Sequence, residues 1–136
     1  MLLGYTGMKQ ATGGGKVLLY VAGAFNFGAA LVLVVLARFA PQLLGVDAPS
    51  DSQLLYVDLC ALLVAGFGVG YVLGGRDLSR FWPFISLGAL CKVGVAALAA
   101  GYFMSGNTGP LVMLLATGDA VFAVLFVRLL RASQTA

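Results

Sequence analysis

Four long stretches of apolar residues dominate this chain, and they restrict it to one class of fold. They cover residues 17–37, 54–75, 81–104 and 110–130. Each is close to the length of about 20 apolar residues that a helix needs to cross the hydrocarbon core of a bilayer. The runs are continuous rather than alternating, and alanine and leucine dominate them, which disfavours a membrane β-barrel. The sequence predicts an all-α, membrane-embedded bundle of four transmembrane helices, built from two helical hairpins.

The composition agrees with a chain that is surrounded by lipid. Of 136 residues, 61% are hydrophobic and 10% are charged, whereas about 25% are charged in an ordinary soluble domain. The mean hydropathy is +1.02, so there are too few polar residues to cover a surface that faces water. We expect a flexible N-terminal tail over residues 1–15, one transmembrane domain over 16–131 and a C-terminal tail over 132–136.

The first apolar stretch has an alternative interpretation, because an N-terminal apolar segment is also typical of a signal peptide. Its apolar run is longer than the usual core of about 7–15 residues, and no clear Ala-x-Ala cleavage site follows it. We therefore interpret it as a retained transmembrane helix.

Basic residues predict the orientation of the bundle. Arg38 is the one basic residue at the helix ends on one side, whereas the other side has six: Lys9, Lys16, Arg76, Arg80, Arg128 and Arg131. Under the positive-inside rule this asymmetry places both termini in the cytoplasm. The sequence pI of about 9.1 then reflects topology and attraction to anionic membrane lipids. No basic stripe interleaved with aromatic residues is present, so we expect no nucleic-acid partner.

Glycines of the second helix predict a site of close helix packing. Gly66, Gly70 and Gly74 recur at four-residue spacing. In lipid, a face of small residues lets two helix backbones approach each other closely. The face predicts a contact within the bundle or, alternatively, between the protomers of a homodimer.

Lys92 and Asp119 are charged residues in the middle of the third and fourth helices, where charge is unfavourable and usually finds a partner. Helical rise places Lys92 roughly 18 Å, and Asp119 roughly 13 Å, from the outer ends of their helices. The turn over residues 105–109 makes these helices antiparallel neighbours. A lysine side chain is long enough to cover the remaining difference in depth. We predict an ion pair between them.

Asn26 and Asp58 are two further polar residues within the apolar stretches. Asn26 lies roughly 14 Å from the cytoplasmic end of the first helix, so its amide can complete a polar layer with Lys92 and Asp119. Asp58 lies roughly 6 Å from the outer end of the second helix. That is too far from Lys92 for contact, and we expect Asp58 to meet water or Arg38. The candidate ligand-binding or transport residues are Asn26, Asp58, Lys92 and Asp119.

Signals for catalysis or metal binding are weak. The chain has no histidine, which excludes histidine metal ligands, histidine haem ligands and Ser-His-Asp triads. All five acidic residues are aspartates. Cys60 and Cys91 are expected to be apolar packing residues; a redox pair would require their helices to bring them within disulfide distance. No catalytic residue, metal ligand or cofactor is assigned.

Short motifs over most of the chain resemble those of the DoxX-like group of small four-helix bacterial membrane proteins. They are Val-Ala-Gly-Ala-Phe-Asn-Phe-Gly at 21–28, Gly-Arg-Asp at 75–77, Leu-Gly-Ala-Leu-Cys-Lys-Val-Gly at 87–94, and Gly118-Asp119 with the apolar run to Arg128. The resemblance implies a multi-pass protein of the bacterial inner membrane. Roles in such families range from companions of quinone-linked oxidoreductases to unknown, so the resemblance implies no catalytic residue.

Three interpretations of the polar layer follow. The layer is structural and fixes how the helices align, or it binds the head of a ligand, or it moves a proton or ion. We expect a non-enzymatic protein that binds a lipid-like or quinone-like ligand or serves as an accessory subunit of a larger membrane complex. The alternative is a small proton- or ion-coupled transporter or channel that uses Lys92 and Asp119.

Overall fold

The computed structural model describes residues 9–134, and these form four long helices. They are α1 (Gly13–Phe39), α2 (Asp51–Arg76), α3 (Leu78–Met104) and α4 (Pro110–Gln134), with a short 3₁₀ helix, Pro41–Leu44, after α1. No strand occurs within this described range. Each of the four helices is long and apolar enough to cross a membrane. The predicted four-helix membrane bundle is therefore confirmed.

The helix α1 begins at Gly13, inside the segment that was predicted to be a tail. The side chain of Thr12 caps it by accepting a hydrogen bond from Gly15 N at 3.4 Å, an interaction that a hydropathy pattern does not reveal. Ala11 is buried, and Lys9 N donates to Ser133 O at 3.3 Å. Residues 9–12 are thus packed on the bundle. The rest of the predicted N-terminal tail, residues 1–8, lies outside the described range, as do residues 135–136.

A single residue, Asp77, separates α2 from α3, where the apolar runs predicted a longer gap. Its carboxylate caps α3 by accepting from Arg80 N at 3.2 Å, and it also accepts from Ser79 Oγ at 2.7 Å and Gln10 Nε2 at 2.9 Å. These hydrogen bonds, led by that from Ser79, hold the pKa of Asp77 below its ordinary value of 3.8. Gln10 thereby fastens the segment before α1 to the α2–α3 turn.

The bundle has two chemically different ends. We call the basic end the one that carries the α2–α3 turn, the start of α1 and the end of α4. The loop end carries the α1–α2 and α3–α4 connections, which are joined because Gly109 N donates to Leu44 O at 3.0 Å. Gly45 has a positive φ of 77°, and a Cβ there would lie 2.2 Å from Gly109 N. Only glycine allows this turn and this close approach.

The hairpin α1–α2 makes the largest helix interface, followed by α3–α4, while α1 and α4 barely touch along their backbones. Gly23 on α1 faces Gly68 on α2, and a Cβ on Gly23 would lie 3.0 Å from the Gly68 carbonyl oxygen. Small residues at this crossing let the two backbones come together, which is how helices associate in lipid.

The predicted glycine face of α2 divides in two. Gly70 lies under the Phe84 ring, where a Cβ would be 2.0 Å from the ring, and Gly74 lies against Ile85 at 2.8 Å. Gly66 is exposed, and a Cβ there would meet nothing within 4 Å. The prediction that Gly66 packs within the bundle is wrong, because a step of four residues rotates the position by about 40° around the helix. A contact of Gly66 with a second copy stays a prediction.

The core is filled at the basic end and sparse toward the loop end. The fully buried large side chains are Leu19, Tyr71, Leu78, Ile85 and Phe126, and all lie in the basic half. Rings from three helices pack edge-on or tilted there, with centroids 4.9 Å apart for Tyr71–Phe126 and 5.2 Å for Phe67–Phe84. In the other half the buried residues of the helices are mainly alanines, which leaves space between the helices.

Candidate functional site

Lys92 is the centre of a polar layer at mid-depth in the bundle. The residue is 4% exposed, and its ammonium group donates one hydrogen bond to Asp119 Oδ1 on α4 and another to Asn26 Oδ1 on α1 at 3.0 Å. The ion pair of Lys92 with Asp119 is the contact that the sequence predicts. Asn26 joins it as expected, so three helices contribute side chains to one layer.

Asn26 also connects the remaining helix, α2, to this layer. Its Nδ2 donates to the backbone carbonyl of Val64 on α2 at 3.0 Å. This bond assigns the orientation of the amide, because Nδ2 must face the carbonyl and Oδ1 is then turned toward the ammonium group. The side chain is buried and both of its polar atoms are used. Asn26 therefore fixes the position of Lys92 relative to α1 and α2.

Three aromatic rings surround the same ammonium group. Lys92 Nζ lies 5.3 Å from the ring centroid of Phe25 and 5.5 Å from those of Tyr71 and Phe122. Each distance is within the range of about 6 Å for cation–π attraction, which is strongest where water is excluded. The rings come from α1, α2 and α4, so the cation on α3 is enclosed by all the other helices.

Two glycines make room for these rings. A Cβ on Gly118 would lie 2.7 Å from the Phe25 ring, and a Cβ on Gly88 would lie 2.6 Å from the Tyr71 hydroxyl oxygen. Gly118 directly precedes Asp119, so one stretch of α4 supplies both the carboxylate and the space for the ring. The aromatic cage was not predicted. Its only local signals are Phe25 beside Asn26 and Phe122 three residues after Asp119, and phenylalanine is too common in an apolar chain for these to be specific.

The layer is electrically balanced but asymmetric in exposure. One ammonium group faces one carboxylate, so the net charge is zero, as buried charges in a membrane require. The Asp119 side chain keeps 18% of its surface exposed, against 5% for Lys92. The Asp119 side chain is thus more accessible than that of Lys92.

A cavity of about 240 Å³ adjoins the polar layer on its loop-end side. Lys92, Asp119 and Asn26 line one end of it, and nearly all of its remaining wall is apolar. The apolar lining comes from Phe25, Ala29 and Leu33 on α1, Leu63, Val64, Phe67 and Tyr71 on α2, Cys91, Val95 and Ala99 on α3, and Val112, Leu115 and Ala116 on α4. An apolar pocket with a few convergent polar groups is the usual form of a small-molecule site.

Asp58 does not belong to this site. Its carboxylate accepts a hydrogen bond from Arg38 Nη2 at 2.8 Å near the loop end, and Arg38 also donates to the Val34 carbonyl at 3.2 Å. The sequence placed Asp58 with Arg38 or water, and the contact with Arg38 is present. This ion pair is partly exposed and joins the loop-end parts of α1 and α2.

Neither cysteine forms a disulfide. Cys60 and Cys91 are both exposed on the outer surface of the bundle, and Cys91 additionally lines the cavity. Within residues 9–134, no three side chains of histidine, cysteine, aspartate or glutamate come together as metal ligands.

No protein-family model, curated protein or solved structure matches this chain.

Proposed function

We propose that this protein binds a small amphipathic molecule of the membrane, lipid-like or quinone-like, in the cavity beside the polar layer. The observation that carries the proposal is the cavity itself: apolar walls from four helices end at Lys92, Asp119 and Asn26. A purely structural ion pair gains most when it is tightly enclosed, because a void beside it loses packing contacts. Here the Asp119 side chain is partly exposed and lines the empty space.

The size of the cavity limits what it holds. A dry apolar cavity of about 150 Å³ is enough for benzene, so about 240 Å³ accommodates one ring-sized or similarly compact group. A polar head of this size can hydrogen-bond to the layer while a longer apolar tail extends out of the cavity. Isoprenoid quinones and lipids with a compact head have this shape.

In this proposal the protein lies in the bacterial inner membrane with both termini in the cytoplasm, as the basic residues and the DoxX-like motifs predict. It acts as a binding protein or as an accessory subunit that presents its ligand to a membrane complex. It is not assigned a reaction.

Native mass spectrometry of the protein, extracted gently from its own membrane, tests this function. The wild type should retain a molecule of defined mass. The variant Lys92→Met/Asp119→Leu, which keeps the apolar wall but lacks the charges, should lose it. A wild type that carries no small molecule would contradict the binding function, and a co-purifying protein would support the accessory-subunit form of it.

A second candidate, a proton- or ion-coupled transporter, is favoured by one observation. The ion pair has space on its loop-end side, whereas packed rings, including Tyr71 and Phe126, fill the basic-end side. Free space on one side only of a central charged pair is the asymmetry on which alternating access builds. Transport would also require the hydrogen-bonded loop-end connections to separate so that water reaches the pair. In sealed liposomes, a proton or cation flux that is lost in Lys92→Met/Asp119→Leu would favour transport over binding.

A further inference from the structure

The exposure of the cavity wall differs from helix to helix. The lining residues of α1 and α4 are all buried or half-buried. On α2 and α3 the wall includes strongly exposed residues: Leu63 is 67% exposed, Val95 is 48% exposed, and Cys91 is exposed as well. A residue that lines a cavity and also faces the outside marks the rim of an opening. The rim here lies between α2 and α3.

The course of α2 and α3 explains why an opening lies there. Near the turn at Asp77 they are in contact, through Gly74 with Ile85, Gly70 with Phe84, and Tyr71 with Gly88. Their interface is much smaller than those within the α1–α2 and α3–α4 pairs. Leu63 and Cys91 are the same number of residues from Asp77 along the two helices, so they stand opposite each other at one height. Beyond Tyr71 and Gly88 the cavity occupies the space between the helices.

The other routes into the cavity are filled. Toward the basic end, the rings of Tyr71, Phe84 and Phe126 are packed together. The backbones of α1 and α4 make the least contact of the neighbouring helices, but Phe25 bridges this seam at mid-depth, where its ring packs on Gly118 and lies 5.2 Å from Phe122. The residues of α1 and α4 that line the cavity beyond Phe25 are buried or half-buried, so the side chains close this seam.

At the loop end, hydrogen bonds join the two connections. Leu44 O accepts from Gly109 N at 3.0 Å and from Thr108 Oγ1 at 3.3 Å. The 3₁₀ helix that contains Leu44 contacts both α1 and α4. The opening at Leu63, Cys91 and Val95 therefore faces sideways, into the hydrocarbon of the bilayer, rather than toward water.

We propose that the ligand enters and leaves sideways from the bilayer between α2 and α3, and that its head group carries no net charge. This inference rests on the proposed binding function and specifies the class of ligand for that site. A molecule that crosses the hydrocarbon to reach the opening must be soluble in it, and charged groups at that depth are strongly disfavoured.

The polar layer selects against charge as well. The ammonium group of Lys92 is already neutralised by Asp119 and enclosed by three rings. A cationic or anionic head would add an unbalanced charge to a buried, neutral layer. A neutral head with carbonyl or hydroxyl groups instead supplies hydrogen-bond partners to the exposed part of Asp119 and to Lys92.

The route is tested at the rim with a matched pair of variants. Leu63 lines the cavity, whereas its neighbour Leu62 is 69% exposed and does not line it. Leu63→Trp places a large ring in the opening, and Leu62→Trp places the same ring on the lipid-facing surface. With the full chain in nanodiscs, release of a radiolabelled benzoquinone bearing a decyl tail into excess protein-free nanodiscs is followed after rapid mixing.

We expect Leu63→Trp to slow both release and uptake by about tenfold or more, with Leu62→Trp close to the wild type. Leu63→Ala, which widens the opening, should accelerate both rates. Equal rates in all of these proteins would overturn the lateral route while leaving binding intact. Thermal unfolding of each variant shows whether it folds. If Leu63→Trp does not fold, the release and uptake rates of Leu63→Ala decide whether the route passes between α2 and α3.

The charge of the head group is tested with three probes that share the decyl tail: the neutral benzoquinone, decanoate and decyltrimethylammonium. Tightest binding of the neutral probe supports the inference. Tighter binding of either ion by the wild type overturns the neutral-head assignment while the binding function stands. If none of the three binds and native mass spectrometry also finds no retained molecule, the binding function itself fails, and the inference fails with it.

Discussion

The ion pair of Lys92 and Asp119 allows a quantitative test of the polar layer. Replacing Asp119 with Leu leaves the ammonium group with one hydrogen-bond acceptor, Asn26, and three ring faces. Replacing Lys92 with Met leaves a carboxylate that has lost its cation. Removing one partner of a buried pair typically costs about 3–5 kcal/mol, because the remaining charge is uncompensated. We expect about 3–4 kcal/mol of lost unfolding free energy for each single variant.

The double variant Lys92→Met/Asp119→Leu should be far less damaged than either single variant implies. It removes both charges together and leaves side chains of similar length in an apolar layer, so the residual cost is mainly the hydrogen bond that Asn26 loses. We expect a total loss of about 1–2 kcal/mol. The interaction between the two sites should then be about 4 kcal/mol or more, measured by reversible unfolding of all four proteins in mixed micelles.

The ion pair of Arg38 with Asp58 provides the control. These two residues are also in direct contact, at 2.8 Å, but they are partly exposed near the loop end. Exposed pairs contribute little to stability, so the equivalent cycle, with both replaced by alanine, should show no resolvable interaction. If the cycle at Lys92 and Asp119 also gave less than about 0.6 kcal/mol, the average for a hydrogen bond between membrane helices, the two charges would not act as a unit.

Three further perturbations have defined outcomes. Asn26→Leu removes the hydrogen bonds to both Lys92 and Val64. It should lower the unfolding free energy by about 2–3 kcal/mol in the same micelle assay. An unchanged unfolding free energy would show that the amide does not hold the layer together. Gly70→Ala places a Cβ against the Phe84 ring and should lower the temperature of thermal unfolding. Gly66→Ala places its Cβ in open space and should leave that temperature unchanged. The hydrogen bonds that Asp77 accepts hold its pKa in the folded state below 3.8, its value in the unfolded chain. The stability that these hydrogen bonds add is therefore complete above pH 3.8 and is lost as the pH falls through the lower pKa of the folded state. Asp77→Asn should therefore remove this part of the acid sensitivity in a pH titration of stability, and identical profiles for variant and wild type would contradict it.

The helices themselves were predictable, because length and hydropathy are local properties. The exact starts of the helices were less predictable. With Thr12 and Asp77 as their N-caps, α1 and α3 begin earlier than the apolar runs indicate, because a cap depends on one side chain rather than on average hydropathy. The pair of Lys92 with Asp119 was also predictable, because two opposite charges at similar depth on antiparallel neighbours have few other partners in lipid.

The rotation of each helix about its axis was not predictable. These helices are apolar on all sides, so hydropathy does not indicate which face is inward. Gly66 and Gly70 look equivalent in the sequence, yet one faces open space and the other accepts the Phe84 ring. The same uncertainty hides the aromatic cage, because Phe25 and Phe27 both flank Asn26 and only Phe25 lies over the Lys92 ammonium group.

The sequence by itself thus determined that this chain crosses a membrane four times and buries one charged pair at mid-depth, since both follow from the cost of polarity in lipid. Only the tertiary structure decided which rings enclose the ammonium group, where the cavity lies and which helices open beside it. Those features arise from steric contacts between side chains on different helices, such as Phe25 on Gly118 and Tyr71 on Gly88. Such contacts depend on the relative rotation and spacing of whole helices, which no local pattern along the chain records.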